Sequence, residues 1–411
     1  MVNEILRTDI PDGWNIKKLE PDVGFVRSGK RLPKGYYVTP IPTQHPYIRV
    51  ADMRPGYVDV DGLMYVPDEA YFRIQKYRIY RDDIYISVAG TLGIVGQIPD
   101  YLDGANLTEN ANRITDIKCN IKFLMYWLMS SKIQGLINQT QTLGAQPKLA
   151  LTRIRNFPII LPPIEEQEQI AEVLCNVDSL ITNLRKLIRK KKNIRQGTMQ
   201  MLVTGKKRLD GFSGEWEIVE IGSVAKVIDP HPSHRAPGAV QYGIPFVGIG
   251  DIDEEGNINR KSARMVDERV YVEHSQRYDL SKNLIGIGRV ASLGKVIRLR
   301  NDVGEYAISP TMAVIDFESI DPMFAYYYMQ SSEFQDQFTS SSNGSTRQSV
   351  GMHYIRKLNI RKPLPEEQIA LSRCLEDMDY EIRKLEEKLS KYQEVKQGMV
   401  EELLTGKVRL V

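Results

Sequence analysis

Apolar residues near the end of the chain alternate at intervals of three and four positions, with one interruption at Lys396. An earlier stretch repeats this spacing up to Ile188 and is then interrupted at Lys191 and Arg195. Such spacing is typical of a coiled-coil seam, because it aligns the apolar side chains along one stripe of a helix. We therefore predict two long helices, each about 38 residues or roughly 55 Å in length. The predicted seam residues are Leu174, Val177, Ile181, Leu184 and Ile188 in the first helix, and Leu375, Met378, Ile382, Leu385, Leu389, Tyr392, Met399 and Leu403 in the second.

Both helices carry start and stop signals. Pro163 and Pro365 suit a first helical turn, and the glutamate pairs that follow them complement the positive end of the helix dipole. Gly205 and Gly406, each flanked by lysine, favour a helix end. Two seams in one chain favour helices that pack on each other, although two separate amphipathic helices would produce the same pattern.

The chain also contains an internal repeat with an offset of 201 residues. Two motifs define it. Pro162-Pro-Ile-Glu-Glu-Gln167 recurs as Pro363-Leu-Pro-Glu-Glu-Gln368, and Leu202-Val-Thr-Gly-Lys-Lys-Arg-Leu209 recurs as Leu403-Leu-Thr-Gly-Lys-Val-Arg-Leu410. A two-copy repeat of this length is typical of a fused dimer related by a pseudo-two-fold axis, which would make the helix pairing antiparallel.

The similarity between the copies is uneven, and this predicts the domain organisation. We predict two variable modules at residues 1–156 and 211–357, and two similar helical regions at residues 157–210 and 358–411. In the variable modules, Asp83–Val88 and Asn283–Ile287 predict strands that lead into glycine-bearing turns. Phe123 to Ile137 and Phe324 to Phe338 predict helices, followed by polar loops at residues 138–148 and 339–349. The predicted fold class is therefore mixed α/β (α+β) modules in two copies, joined to two long helices packed as an antiparallel coiled coil.

Composition restricts the class of protein. A chain of 411 residues is too long for one compact core and indicates several domains. Its three cysteines, Cys119, Cys175 and Cys374, lie too far apart in the sequence for a disulfide framework, which favours a reducing compartment. The longest apolar stretch, Phe123 to Met129, is much shorter than the roughly 20 residues that span a bilayer. We expect a cytoplasmic protein without a membrane segment.

The net charge of +3 is small, so anion binding must depend on how the charge is distributed. One segment of the first helix carries cations without any acid. A solvated helix face and a contact to phosphates or to an acidic partner both fit this pattern. The cations are Arg185, Lys186, Arg189, Lys190, Lys191, Lys192 and Arg195.

Several short motifs resemble catalytic or ligand sites, but each lacks a required part. Phe246-Val-Gly-Ile-Gly250 matches a loop of S-adenosylmethionine-dependent methyltransferases, yet its repeat counterpart, residues 47–51, has no glycine. Gly286-Ile-Gly288 is not followed by the helix that a dinucleotide loop needs. Residues 251–262 begin like a calcium loop but end on serine, and His231 with His234 lacks a third metal ligand. We predict no catalytic, cofactor or metal site in this chain.

Taken together, the repeated helix starts, the repeated Leu-x-Thr-Gly-Lys-x-Arg-Leu stretch and Gly211-Phe-Ser-Gly-Glu-Trp216 resemble the specificity (S) subunit of type I restriction–modification systems. This resemblance covers essentially the whole chain. It implies a non-catalytic subunit whose variable modules are target recognition domains, each reading one half of an asymmetric, bipartite target in double-stranded DNA. It further implies that the helices set the spacer and dock two methyltransferase (M) subunits, and that restriction (R) subunits join this M–S core. S-adenosylmethionine, ATP and Mg²⁺ are then expected on the partner subunits and none on this chain.

Candidate DNA-contacting residues are cations and amides on the variable loops, since these side chains contact base edges and phosphates. They are Arg27, Lys30, Arg31, Arg49, Arg54, Gln146 and Lys148 in the first module, and His234, Arg235, Arg260, Arg264, Arg289 and Arg347 in the second. For each of them a solvated surface position is an equally good reading of the sequence.

Three other classes of protein fit parts of the sequence. The main alternative is a coiled-coil scaffold that binds proteins without reading DNA. A self-contained methyltransferase or nuclease would have only residues 246–250 in its favour. A module that binds single-stranded RNA would use aromatic stacking, for which the 21 tyrosines are available.

Overall fold

The computed structural model describes residues 10–139, 148–231, 236–253, 255–290, 292–340 and 349–410. Gln146, His234, Arg235 and Arg347, together with most of the two predicted polar loops, lie outside these residues. The chain forms two compact units. Unit 1 comprises Met1–Arg185 and Glu387–Val411, and unit 2 comprises Lys186–Glu386. In the described part of the chain, no helix combines the length and apolar character needed to cross a bilayer.

The described residues of unit 1 form two four-stranded sheets and two two-stranded ladders. One sheet is antiparallel with the strand order β2-β11-β8-β9, and the other has the order β6-β3-β10-β7, in which β3 and β10 are parallel. The ladders join β1 to β12 and β4 to β5. The strands are β1 (Asn15–Lys18), β2 (Phe25–Ser28), β3 (Pro46–Ile48), β4 (Met53–Arg54), β5 (Tyr57–Val58), β6 (Met64–Tyr65), β7 (Arg78–Ile79), β8 (Ile84–Ser87), β9 (Val95–Gly96), β10 (Ala105–Leu107), β11 (Ala111–Thr115) and β12 (Pro158–Leu161).

Unit 2 repeats this framework with fewer strands among its described residues. Its antiparallel sheet has the order β14-β20-β17-β18, its mixed sheet has the order β16-β15-β19, and β13 pairs with β21. As in unit 1, the mixed sheet contains one parallel pair, β15 with β19. The strands are β13 (Glu217–Glu220), β14 (Ala225–Ile228), β15 (Ile244–Val247), β16 (Arg264–Val266), β17 (Leu284–Gly288), β18 (Val296–Leu299), β19 (Ala307–Ile308), β20 (Met312–Phe317) and β21 (Asn359–Lys362).

Helices cover the antiparallel sheets and connect the modules. Short helical turns also occur at Leu19–Val23, Val50–Asp52 and Asp100–Leu102. The α-helices are α1 (Asp68–Ile74), α2 (Ile121–Met129), α3 (Ser131–Gln139), α4 (Leu151–Arg155), α5 (Ile164–Val203), α6 (Ile221–Val224), α7 (Glu268–Ser275), α8 (Pro322–Met329), α9 (Ser332–Ser340), α10 (Met352–Arg356) and α11 (Pro365–Thr405).

The two predicted helices of the variable modules are each divided into two. Ser130, between α2 and α3, has extended backbone angles (φ −65°, ψ 154°), and its hydroxyl donates to the carbonyl oxygen of Trp127 at 2.7 Å. The hydroxyl of Ser130 therefore provides a hydrogen-bond donor for a carbonyl oxygen at the end of α2, and α3 then starts as a separate helix. In unit 2, α8 ends at Met329 and α9 begins at Ser332. The prediction of one continuous helix in each variable module was therefore wrong. In each module the helical spacing of apolar residues continues across the break, where a serine hydrogen-bonds to the preceding turn and ends the first helix.

The two long helices are confirmed. Helix α5 has 40 residues and α11 has 41 residues. Both are followed by a glycine in the left-handed region, Gly205 at φ +71° and Gly406 at φ +69°, where other residues are strained. Each helix contributes one part to each unit.

Within each unit, the parts of α5 and α11 run antiparallel. In unit 2, Lys191 is paired with Glu381 at 2.7 Å, and Arg195, further along α5, is paired with the earlier residue Asp379. In unit 1, Asp178 is paired with Lys396 at 2.7 Å. The cations that interrupt the seam are therefore ion-pair partners that join the two helices.

Each unit has a core that links its antiparallel sheet to the ends of the long helices. In unit 1, the buried side chains of Phe123 and Trp127 lie in one cluster with Leu174 of α5 and Leu403 of α11. In unit 2, the corresponding cluster joins Phe324 and Tyr328 to Leu202 and Leu375. Full burial of such a side chain stabilises the fold by about 1.5 to 3 kcal/mol, so each unit depends on both helices.

The repeated Pro-x-x-Glu-Glu-Gln motif is structural in both units. Glu166 accepts hydrogen bonds from Trp14 Nε1 at 3.1 Å and from Arg409 Nη2 at 2.8 Å. Glu367 accepts from Trp216 Nε1 at 2.9 Å and from Arg208 Nη2 at 2.6 Å. The arginine comes from the Leu-x-Thr-Gly-Lys-x-Arg-Leu stretch of the other copy, so each unit contains parts of both sequence repeats.

The glutamine of the motif fixes the helix start against the module. Gln167 Oε1 accepts from the backbone N–H of Asn120 at 2.9 Å, and its Nε2 donates to the carbonyl oxygen of Pro162 at 2.8 Å. Gln368 makes the same two contacts, with Asp321 at 2.7 Å and with Pro363 at 2.7 Å. These buried bonds explain why both copies keep Glu and Gln at these positions.

Candidate nucleic-acid interface

In unit 1, the first group of predicted DNA-contacting residues follows β2. Arg27 is exposed on β2, and its guanidinium lies 5.3 Å from the ring centre of Phe25. Lys30 Nζ lies 5.6 Å from the ring centre of Tyr77, and Arg31 is paired with Glu109 at 3.2 Å. All three cations are exposed and close in sequence, so this segment presents a local positive surface.

Arg49 and Arg54 are instead held by neighbouring carboxylates. Arg49 Nη2 lies 2.6 Å from the buried Asp52 and also donates to the carbonyl oxygen of Gly62. The hydrogen bond to Asp52 raises the pKa of Arg49 above its usual range, against the effect of burial. Arg54 is paired with Asp59 at 3.0 Å and donates to two backbone carbonyls. Both arginines stabilise the turn around β4 and β5, and a contact to DNA would require them to exchange partners.

Lys148 of unit 1 and the described candidates of unit 2 have backbone or side-chain partners. Lys148 is exposed, and its backbone forms a β-bridge with Ala89. Arg260 donates to the carbonyl oxygen of Val303 at 2.7 Å, and Arg264 donates to that of Pro237 at 3.0 Å. Arg289 is paired with Asp229 at 3.3 Å and donates to the carbonyl oxygen of Val350. Of these four, Arg289 is the least accessible, since Lys148, Arg260 and Arg264 are exposed.

The structure also reveals a surface in unit 1 that the sequence did not indicate. Residues 30–38 pack against α1, where Arg73 lies 5.6 Å from the ring centre of Tyr36. Next to this contact, Tyr37 is 83% exposed and Phe72 is 74% exposed. Large apolar side chains this exposed are typical of an interaction surface. Three exposed cations lie on the same two segments or just beyond them: Lys34, Arg73 and Lys76.

Unit 2 has exposed side chains at the corresponding elements. Tyr242, just before β15, is 83% exposed, and Val272 on α7 is 52% exposed. Arg269 on α7 is also exposed and is paired with Asp267 at 2.9 Å. The same elements therefore carry different side chains in the two units. None of these side chains was among the predicted DNA-contacting residues.

The motifs that resembled ligand sites have internal partners. In Phe246-Val-Gly-Ile-Gly250, the backbone N–H of Gly248 donates to Asp251 at 2.9 Å, so this turn is closed by a carboxylate. Asp251 also accepts from the hydroxyl of Ser262 at 2.9 Å. Gly286 and Gly288 lie within strand β17. Among the residues that the structure describes, no group of three or more His, Cys, Asp and Glu side chains is arranged to hold a metal ion.

Each unit contains an open cleft beside its recognition module. The start of α5 lines the cleft of unit 1, whereas α5 and α11 both line the cleft of unit 2. The cleft of unit 1 has a volume of about 630 Å³ and that of unit 2 about 990 Å³. The lining of the unit 2 cleft is predominantly polar. Seven repeat-related pairs of residues line them, among them Arg81 and Lys282, Gln97 and Arg298, and Lys122 and Met323.

Comparison with known proteins supports this organisation. Residues 11–193 and 213–397 match the sequence profile of the type I restriction modification DNA specificity domain. Two proteins of Methanocaldococcus jannaschii, named as the MjaX and MjaVIII type I restriction enzyme specificity subunits, are 25% and 23% identical to this chain. Each alignment covers 98% of this chain, and 95% and 94% of those proteins respectively.

Two solved structures share the fold. A chain from a study of complex assembly and conformational transition in a type I restriction–modification system has a TM-score of 0.56 at 15% identity, covering 97% of this chain and all of that one. The S subunit from M. genitalium has a TM-score of 0.55 at 13% identity, covering 97% of each chain. The profile match spans most of the sequence and occurs once in each repeat. The chain therefore belongs to the type I restriction–modification DNA specificity family, as a non-catalytic specificity subunit with two target recognition domains.

Proposed function

We propose that this chain reads an asymmetric, bipartite target in double-stranded DNA, with one half contacted by each unit. The supporting observation is that equivalent elements of the two units carry different exposed side chains. Tyr37, Phe72 and Arg73 are exposed in unit 1, whereas Tyr242, Val272 and Arg269 are exposed on or beside the matching elements of unit 2. Because base readout depends on the side chains presented to the groove, different surfaces should recognise different half-sites.

We assign the two recognition domains to residues 1–156 and 211–357, and the helical regions to residues 157–210 and 358–411. The contacting residues proposed in the recognition domains are Arg27, Lys30, Arg31, Arg49, Arg54, Gln146, Lys148, His234, Arg235, Arg260, Arg264, Arg289 and Arg347, together with Lys34, Arg73 and Lys76. When the two half-sites are separated by one turn of the DNA double helix, their centres lie about 34 Å apart. Helices of 40 and 41 residues, roughly 60 Å long, are sufficient to fix such a spacing.

The decisive experiment is selection of duplexes from a random-sequence pool, with the chain assembled with its methyltransferase subunit. Two short, different motifs at one fixed gap are expected. Replacing Lys34, Arg73 and Lys76 by glutamine should weaken binding and make its salt dependence shallower by about one unit of slope per lost phosphate contact. Lys17→Gln is the matched control, because Lys17 is an exposed cation on β1 of the same unit. A single motif, or binding that ignores salt, would contradict the proposal.

We further propose that two methyltransferase subunits dock on the long helices, one beside each of the two clefts, and that restriction subunits join this core. A surface that occurs twice supports two copies of the same partner. Lys122→Glu should remove one methyltransferase subunit and Met323→Glu the other, while the double variant should bind none. Native mass spectrometry would count the subunits, and two retained subunits in the double variant would rule out the clefts as docking sites.

The chemistry of the assembly is assigned to the partners. S-adenosylmethionine, ATP and Mg²⁺ would bind to the methyltransferase and restriction subunits, and this chain would supply target selection. We place the assembly in the cytoplasm, in keeping with three cysteines that are all free thiols.

A further inference from the structure

Helix α5 contains no acidic residue after Asp178. Residues 179–209, which cover the second half of the helix and the turn that follows it, include no aspartate or glutamate. The equivalent residues of the second repeat, 380–410, include six: Glu381, Glu386, Glu387, Glu394, Glu401 and Glu402. The two long helices therefore differ in charge over this part of the repeat.

Four polar residues of this acid-free stretch share one side of α5. They follow one another at intervals of three, one and three positions, which places them on one face of an α-helix. At 3.6 residues per turn, this face lies opposite the seam, where Ile188 is buried. All four side chains are exposed and belong to unit 2. We name these residues the α5 basic face: Lys186, Arg189, Lys190 and Asn193.

The cations of the α5 basic face are not neutralised by the chain itself. Among the residues that the structure describes, none of the three has an ion-pair partner. By contrast, Lys191 and Lys192, which lie nearer the seam, are paired with Glu381 and Glu386, both at 2.7 Å. Because like charges at this spacing on a helix repel each other, an anion at the face would be stabilising.

The side chains of the α5 basic face are those that bind phosphates. Lysine, arginine and asparagine hydrogen-bond to the phosphates of DNA, and such contacts carry no sequence information. An acidic side chain close by would weaken them, and α5 has none beyond Asp178. From Lys186 to Asn193 the face extends about 10.5 Å along the helix axis, or about three base-pair steps of 3.4 Å. It therefore matches a short run of consecutive phosphates.

A stretch of DNA that is not read in sequence suits a face of this kind. In the proposed bipartite target, the unread spacer lies between the half-sites, and α5 contributes residues to both units. The second long helix does not repeat the face, because the counterparts of Lys186 and Arg189 are Glu387 and Ser390. Only α5 therefore offers a surface of this charge to a spacer.

We propose that the α5 basic face contacts phosphates of the DNA spacer between the two half-sites. This contact rests on the proposed function, since a spacer exists only in a bipartite target. It neutralises charge without reading bases, so it strengthens binding to every duplex that carries the two half-sites at the correct gap. It also orients the helix pair, with α5 toward the DNA.

The first test measures the salt dependence of DNA binding. The chain is assembled with its methyltransferase subunit and bound to the duplex selected from the random-sequence pool. Replacing Lys186, Arg189 and Lys190 by glutamine should make the plot of log affinity against log salt shallower by about one unit per lost phosphate contact. The half-sites and their gap should stay the same. The matched control replaces three exposed lysines of α11 by glutamine and should leave the slope unchanged: Lys384, Lys388 and Lys391.

The second test changes the DNA, so its outcome does not depend on the folding of a variant. Methylphosphonate linkages, which carry no charge, replace the phosphates of the spacer. The slope for the natural chain should then become shallower and equal that of the glutamine variant. The same linkages placed outside the half-sites should leave the difference between the two proteins intact.

Three results would overturn the proposal. A difference between the natural chain and the glutamine variant that persists on the uncharged spacer would mean that the three cations contact something else. An equal change of slope in the α11 control would indicate a general effect of net charge. Loss of a methyltransferase subunit from the glutamine variant, detected by native mass spectrometry, would assign the face to a protein contact.

Failure of the spacer contact and failure of the proposed function give different results. If the random-sequence pool yields no bipartite motif, the proposed function is wrong and the spacer contact with it. If the pool yields two motifs at a fixed gap and the uncharged spacer does not remove the difference between the two proteins, only the spacer contact is wrong.

Discussion

Arg195 of the first long helix donates two hydrogen bonds to Asp379 of the second, from Nε to Oδ1 at 2.8 Å and from Nη2 to Oδ2 at 3.2 Å. The hydroxyl of Tyr327 donates to the same carboxylate at 2.7 Å. Burial and the neighbouring Asp379 raise the pKa of Tyr327, so the phenol stays a hydrogen-bond donor. In unit 1, Lys396, Asp178 and Tyr126 form the equivalent group. A polar cluster thus fixes the helix register at the same place in each unit.

The first prediction concerns this cluster. Arg195→Met should lower the free energy of unfolding by about 2 to 4 kcal/mol, because it leaves a partly buried carboxylate with one donor. Arg195→Lys should cost about 1 kcal/mol or less, since unit 1 carries lysine at the equivalent position. Chemical denaturation would measure both. Lys186→Met, at an exposed position, is the control, and an equal effect of the two methionine variants would refute the role of the cluster.

The second prediction concerns Glu367, which is buried beneath Arg208 and Trp216. Glu367→Gln removes the charge that neutralises Arg208, so we expect a loss of about 2 to 4 kcal/mol in the free energy of unfolding. The adjacent Glu366 is exposed, and Glu366→Gln should change stability by about 0.5 kcal/mol or less. If the two variants unfold at the same denaturant concentration, the buried pair does not stabilise unit 2.

The third prediction compares two glycines at the end of α5. Gly205 has φ +71°, and a Cβ there would lie 3.3 Å from the ring of Trp216, so Gly205→Ala should destabilise the chain by about 1 to 2 kcal/mol. Gly197 lies inside the helix with nothing within 4 Å of an added Cβ, so Gly197→Ala should stabilise it by about 1 kcal/mol. Opposite shifts of the thermal midpoint are expected. Shifts of the same sign would contradict the left-handed conformation assigned to Gly205 or the helical conformation assigned to Gly197.

The fourth prediction concerns pH. Burial lowers the pKa of His274, whose ring lies 4.4 Å from that of His231. Below a pH of about 6.5 the unfolded chain takes up a proton on this histidine more readily than the folded chain does, so stability falls as the pH is lowered through that range. His274→Phe should flatten the dependence of the thermal midpoint on pH between 7 and 5. A pH dependence that is unchanged in His274→Phe would contradict this prediction.

The long helices and their ends could be predicted because their signals are local. Seam spacing, Pro163 and Pro365 at the starts, and Gly205 and Gly406 at the stops depend only on neighbouring residues. The offset of 201 residues also identified the two copies without any structural information. The breaks at Ser130 and Ser331 were missed, because the apolar spacing continues through both serines.

The candidate interface was predicted less completely. Arg49 and Arg54 looked like free cations in the sequence, but each has a carboxylate partner brought close by the turn around β4 and β5. Tyr37 and Phe72 were not predicted as contacts, yet both are exposed. Charge and hydrophobicity alone do not say which side of an element faces solvent when the element is only a few residues long.

The sequence by itself determined the family resemblance, the duplicated plan and the two long helices, because motifs and helical periodicity are properties of residues close together in the chain. Only the tertiary structure decided that Glu166 binds Arg409 of the other repeat, and that Glu367 binds Arg208. It also decided that the cations interrupting the seam have acidic partners, while Lys186, Arg189 and Lys190 remain exposed. Such pairings join residues as many as 243 positions apart. Their stability comes from burial and from the geometry of the packed helices, which no local pattern encodes.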